Sequence, residues 1–208
     1  MKNHRDWILS SGAHTGVLVG GLLEVIVALA CIGTAVTPYP VLKRQNEGVA
    51  LGFVAARVLE ACMIFTGVVS LLSLVTLQQA GATGATAAAL VTTGASHVAV
   101  YNWTFLLGQS LMPGINALLL GSLLYRSRLV PRVIPVLGLI GATLLICTVI
   151  ATLFGSFKLG SPELAALPVA AWELSLGVWL VVKGFKPAPI TAAMTAADTA
   201  PAYHDVTA

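Results

Sequence analysis

Apolar residues run along this chain in blocks too long and too continuous for the alternation of strands or the striped faces of surface helices. Five blocks stand out, near 13–36, 49–77, 97–124, 133–156 and 163–184. Each reaches the roughly 20 residues that a helix rising ~1.5 Å per residue needs to cross ~30 Å of hydrocarbon. The polar positions mark the breaks. TPYPVLKRQNEG (37–48) joins two prolines to a charge cluster, and YRSRLVPRVIP (125–135) separates the third and fourth blocks. QQAGATGATAAALVTTGASH (78–97) reads as a small-residue loop, within which ATAAALV is capable of a short interfacial helix. The pattern predicts one transmembrane helical domain over 1–186, followed by a Pro/Ala/Thr-rich disordered cytoplasmic tail over 187–208.

Composition agrees with the pattern, since 57% of the 208 residues are hydrophobic, 9% are charged and the mean hydropathy is +0.91. Soluble domains do not reach that balance. Aromatics are few and Ala, Gly, Val and Leu dominate, which favours an all-α polytopic bundle over a β-barrel with aromatic girdles. The first block is expected to be retained rather than cleaved. Although Lys2 and Arg5 precede it and ALAC (28–31) resembles a lipoprotein box, it is long enough to span and carries Glu24 at its centre.

The net charge of +3 does not describe a nucleic-acid surface, because the basic residues sit in short loops rather than along one face. They report orientation instead. Lys43 and Arg44 lie in the first loop, Arg126, Arg128 and Arg132 in the third, and Lys183 and Lys186 after the last span, against Lys158 alone in the even loops. By the positive-inside rule the N-terminus is outside and the C-terminus cytoplasmic. Lys2 and Arg5 then fall on the outer side, a contradiction that one more upstream span would remove.

Glu24, Arg57, Glu60 and Glu173 lie inside apolar blocks, as does Asn116. Measured from the cytoplasmic helix ends, Glu24 lies ~18 Å in, Arg57 ~13 Å, Glu60 ~17 Å, Asn116 ~12 Å and Glu173 ~16 Å. One layer near mid-membrane is therefore expected to hold them all. Gly16, Gly20 and Glu24 recur every fourth residue and are expected to face the bundle. Asn102, Gln109 and Asn116 repeat by sevens around Pro113, a polar stripe on a helix expected to kink.

A charge at the bilayer centre costs about 3 kcal/mol on insertion scales, so such residues pair inside the bundle or line a wet cavity. Arg57 is expected to be the counter-ion of Glu60 on the adjacent turn and of Glu24 or Glu173 across the bundle. Three carboxylates to one guanidinium also predict at least one neutral glutamate. Two readings stay open: a site for a small ligand, a lipid or protons, and a buried ionic network that only fixes helix packing.

Other chemistry is thinly represented. Cys31, Cys62 and Cys147 fall inside apolar runs without a C-x-x-C and read as small buried hydrophobes. His14 and His97 lie near outer helix ends, where joint ligation of a haem or metal is the least favoured reading. Ser10, Ser11, Ser70 and Ser73 have no histidine at a suggestive spacing, and the common hydrolase, phosphate-loop and dinucleotide motifs are missing. No catalytic residue, metal or cofactor is assigned. Arg126, Arg128 and Arg132 read first as topology determinants and second as contacts to anionic lipid. The expected partners are the lipid bilayer and either a second copy or another membrane protein.

LLEVIVALACIGTAVTPYPVLKRQNEGVALGFVAARVLEA followed by GSLLYRSRLVPRVIPVLGLIGA resembles the DUF4386 family of bacterial multi-helix membrane proteins of unknown function. The resemblance covers most of residues 20–184. It implies a multi-pass fold in a bacterial cytoplasmic membrane and a helix upstream of GGLLEV that this chain is expected to lack. It supplies no catalytic residues.

Overall fold

A computed structural model describes residues 14–80, 85–155 and 163–192. The main α-helices are α1 (Thr15–Val36), α2 (Tyr39–Leu42), α3 (Glu47–Ala80), α4 (Ala85–Thr104), α5 (Met112–Ser127), α6 (Val133–Leu153) and α7 (Glu163–Lys183), and residues 189–192 are helical as well. A π-helical segment, Phe105–Leu111, joins α4 to α5 without a break. Five helical units are long and apolar enough to cross a membrane: Thr15–Leu42, Glu47–Ala80, Thr86–Ser127, Val133–Leu153 and Leu164–Lys183. Lys2, Arg5, Ser10, Ser11, Lys158 and the tail from 193 onward lie outside the described residues.

The first polar break is shorter than its two prolines imply. Thr37 continues the helix, with its amide and hydroxyl both donating to the Gly33 carbonyl (3.1 and 2.8 Å). Pro38 and Pro40 then occupy the start of α2, where a missing N–H costs nothing. Asn46 opens α3, its Oδ1 accepting the Val49 amide at 3.0 Å, and Glu47 in the first turn suits the helix dipole.

Residues 85–97, expected within a loop, are helical instead. Ala85, Ala87, Ala88 and Ala89 carry the strongest helix propensity of any residue type. The hydroxyls of Thr92 and Ser96 donate back to the carbonyls of Ala88 (3.1 Å) and Thr92 (3.2 Å), so the polar content is satisfied inside the helix. The third span consequently runs 42 residues. Its expected kink takes the form of the π segment, closed by the Met112 amide bonding to the Leu107 carbonyl just before Pro113, which has no amide hydrogen to offer.

The helices pack as a row, with α1 on α3, α3 on the α4–α5 unit, α5 on α6 and α6 on α7. Phe53, Leu120, Leu124, Leu145 and Trp172 lie in the larger core, while Ala28, Cys31, Ala61, Ile64 and Val68 form a smaller one between α1 and α3. Close approach depends on glycines other than the expected pair. Around Gly16 and Gly20 a side chain would meet open space, and Gly16 is exposed. A Cβ on Gly138 would fall 2.6 Å from the Trp172 ring, one on Gly141 2.9 Å from the Val169 backbone nitrogen, and one on Gly108 2.5 Å from the Met63 Cβ.

The chain after α7 folds back over the basic end. The Lys186 amide donates to the Leu129 carbonyl at 2.8 Å, Arg44 donates to the Ile190 carbonyl at 3.4 Å, and Phe185 and Ile190 pack on the core. Lys186 also caps the face of Trp179 at 5.6 Å and Arg132 that of Tyr125 at 5.2 Å.

Gly141→Ala is expected to lower the stability of the detergent-solubilised protein by about 1–3 kcal/mol, because the facing α7 backbone has no rotamer with which to yield. Gly16→Ala is expected to cause no loss. Paired thermal melts check the contrast.

Candidate functional site

The antiparallel packing of α1 on α3 sets which polar groups meet. Cys31 stands opposite Arg57, with Arg57 Nη1 3.6 Å from its Sγ. The same guanidinium nitrogen donates to Glu60 Oε2 at 3.0 Å, a contact across one turn of α3. Arg57 Nη2 donates to Glu173 Oε1 at 2.8 Å, which joins α3 to α7. Asn116 Nδ2 donates to Glu60 Oε2 at 2.6 Å, so one carboxylate oxygen receives bonds from two different helices. Beneath the guanidinium lies the Phe53 ring, its centroid 5.8 Å away.

Burial within this centre is uneven. Arg57, Glu60 and Asn116 are buried, whereas the Glu173 side chain is 40% exposed. Arg57 Nε and Asn116 Oδ1 are buried without a hydrogen-bond partner. With both carboxylates ionised the centre carries one surplus negative charge. It can therefore accept a hydrogen-bond donor or a cation at its open side, and its floor still has one donor and one acceptor to offer.

Four of the five expected residues thus come together, and Glu24 does not join them. Helix α1 continues through Thr37 into α2, which places its end six residues, or ~9 Å, further along than Val36. Glu24 is consequently two turns above Cys31 and the Arg57 level, ~10 Å along the α1 axis. There its Oε1 accepts the Tyr101 hydroxyl at 2.6 Å, while Oε2 is buried without a partner. Position within α1 is the reason for this second locus, not a difference in chemistry.

The polar stripe on the third span also divides. Asn102 is exposed, Gln109 half-buried and Asn116 fully buried, because the wide π turns between them rotate α5 relative to α4. Tyr101 carried no signal in the sequence beyond the general need of a buried phenol for a partner. Cys31, read as a small hydrophobe, is buried but also touches the guanidinium.

Ser70 does meet a histidine, contrary to the reading by spacing, since His97 faces it from α4. The Ser70 hydroxyl lies 3.2 Å from His97 Nδ1 but donates to the His97 backbone carbonyl at 2.8 Å. A serine nucleophile directs its proton at the ring nitrogen of a base, and this hydroxyl proton is directed elsewhere. Among the described residues no three His, Cys, Asp or Glu side chains group as a metal-ligand set.

Five apolar spans enclosing paired charges define a multi-pass, all-α membrane protein. Residues 4–184 match the model of the family described as Domain of unknown function (DUF4386), and the chain belongs to that family. No curated protein and no solved structure matches the chain.

Arg57→Ala is expected to cost about 3–5 kcal/mol, because it leaves the Glu60 carboxylate buried without its counter-ion. Arg57→Lys is expected to recover only part, since a single ammonium cannot reproduce the two-sided fork. Unfolding in mild detergent measures both.

Proposed function

We propose that this protein is a non-enzymatic component of a bacterial cytoplasmic membrane that binds the cationic or hydrogen-bond-donating group of a small ligand or lipid at the Arg57–Glu60–Asn116–Glu173 centre. The observation that carries this reading is the half-open carboxylate of Glu173. It holds Arg57 through one oxygen, belongs to a centre with two carboxylates to one guanidinium, and is 40% exposed at a depth where water is scarce. Intramembrane ionisable residues of this kind are functional candidates by default. Lys43, Arg44, Arg126, Arg128, Arg132, Lys183 and Lys186 cluster toward the helix ends joined by the Arg44–Ile190 and Lys186–Leu129 contacts. The positive-inside rule supports a cytoplasmic location for that end and for the C-terminus.

A second reading has its own support, because the Arg57–Glu173 pair ties α3 to a helix that otherwise packs on α6 and, lightly, on α5. In that reading the protein is a partner-binding or structural subunit whose ion pairs fix packing.

Native mass spectrometry of the protein in mild detergent, beside Glu173→Gln, separates the two. A bound amine-bearing mass that stays with the wild type and leaves the variant is the expected outcome. Bare protein in both samples, or the same exchangeable lipid in both, overturns the ligand reading. A large loss of melting temperature in Glu173→Gln alongside that result favours the packing role.

A further inference from the structure

Glu24 sits apart from the Arg57 centre and is held differently. Its Oε1 accepts one hydrogen bond, from Tyr101 Oη at 2.6 Å, and its Oε2 is buried with no partner. Among the described residues the ion pairs are Arg57–Glu60 and Arg57–Glu173, and neither includes Glu24. The nearest guanidinium, Arg57, lies two turns away opposite Cys31, with both terminal nitrogens engaged by Glu60, Glu173 and Cys31. From α3 the flanking side chains are apolar, with Val68 and Leu72 set against Gly21 and with Ile64 in the same small core.

From α4 Tyr101 reaches Glu24, and Thr104 and His97 follow it on the same helix, one turn to either side. The Tyr101 ring and Thr104 Oγ1 press on Gly67, at 3.4 and 3.1 Å from where a Cβ would stand. Ser70, one turn from Gly67, holds His97. Tyr101, Thr104 and His97 therefore line the contact of α4 with Gly67 and Ser70 of α3, and Tyr101 links that contact to Glu24 on α1.

An ionised carboxylate has room for about four hydrogen bonds. One such group, given a single donor and no counter-ion inside hydrocarbon, is the most costly arrangement the site could adopt. A proton on Oε2 removes the charge without disturbing the Tyr101 bond and needs no extra space. We propose that Glu24 is a proton-exchange site, separate from the Arg57 centre, in which Tyr101 is the positioning residue. Uptake adds one proton from water to the carboxylate to give a neutral acid, and release returns it. This goes beyond ligand binding at the Arg57 centre and does not depend on it.

The test uses the full chain in lipid vesicles treated with dicyclohexylcarbodiimide, an apolar reagent selective for protonated carboxyls. The acid proton moves to one carbodiimide nitrogen, the carboxylate oxygen attacks the central carbon, and an oxygen-to-nitrogen acyl shift leaves a stable N-acylurea with no atom lost. Peptide mass mapping is expected to find the adduct on Glu24, to lose it in Glu24→Gln, and to show its yield falling as the medium is made alkaline. Tyr101→Phe removes the hydroxyl that holds the carboxyl in place, so it is expected to change the adduct yield on Glu24 while leaving labelling of Glu173 as in the wild type. No adduct on Glu24 of the wild type at any pH overturns the proposal, whatever labels at the more open Glu173. A yield independent of pH, or a Tyr101→Phe profile identical to wild type, also overturns it. The wild-type map stands even if a variant fails to fold.

Discussion

A guanidinium inside hydrocarbon has to find its counter-ions within the protein, and Arg57 finds one on its own helix and another on α7. Much of the bundle is arranged around that requirement. Cys31 and Phe53 shield two sides of the group, and Asn116 steadies the Glu60 oxygen that it uses. Helix α3, which carries the charge to be covered, has an inner place in the row, between α1 and the α4–α5 unit. The outer helices α1 and α7 need bury little, and their apolar faces are left to lipid: Leu22, Leu23, Val181 and Val182 are all exposed.

Much of this was legible in the sequence, for a physical reason. The cost of charge in a bilayer is so large that Arg57, Glu60, Asn116 and Glu173 had few places to go except toward one another. Glu24 escaped the same logic because its depth depended on where α1 ends. Pro38 and Pro40 read as a stop, yet proline is accepted in a first turn, and the chain continued for six more residues. The glycines misled in a related way. Gly16 and Gly20 have the spacing of a packing motif, yet a Cβ on either would meet nothing within 4 Å among the described residues, while Gly138 and Gly141 meet α7 at distances only glycine permits. Spacing states which residues share a face, and it is silent on which face finds a partner.

The third span shows a further limit. Heptad spacing presumes an unchanged helix, and the Phe105–Leu111 segment widens it just where Pro113 withdraws a donor. Below that segment Asn116 is turned into the charged centre. Above it Tyr101 is turned toward α1. One local deformation thereby lets a single helix serve two polar loci at different depths, and segments of this kind frequently accompany functional positions.

The bond between Arg57 and Glu173 joins residues 116 positions apart, which bears on how the chain is made. Helix α3 leaves the ribosome long before α7, so Arg57 has to enter the bilayer without its distant partner. Glu60, one turn along the same helix, is present from the outset and lets that segment insert with its charges already matched. Helix α7 arrives last, bearing a carboxylate of its own, and the waiting guanidinium gives it a place to stop. The sequence order of the charges thus follows the order in which their helices are made, the Arg57–Glu60 pair preceding the helix that docks on it.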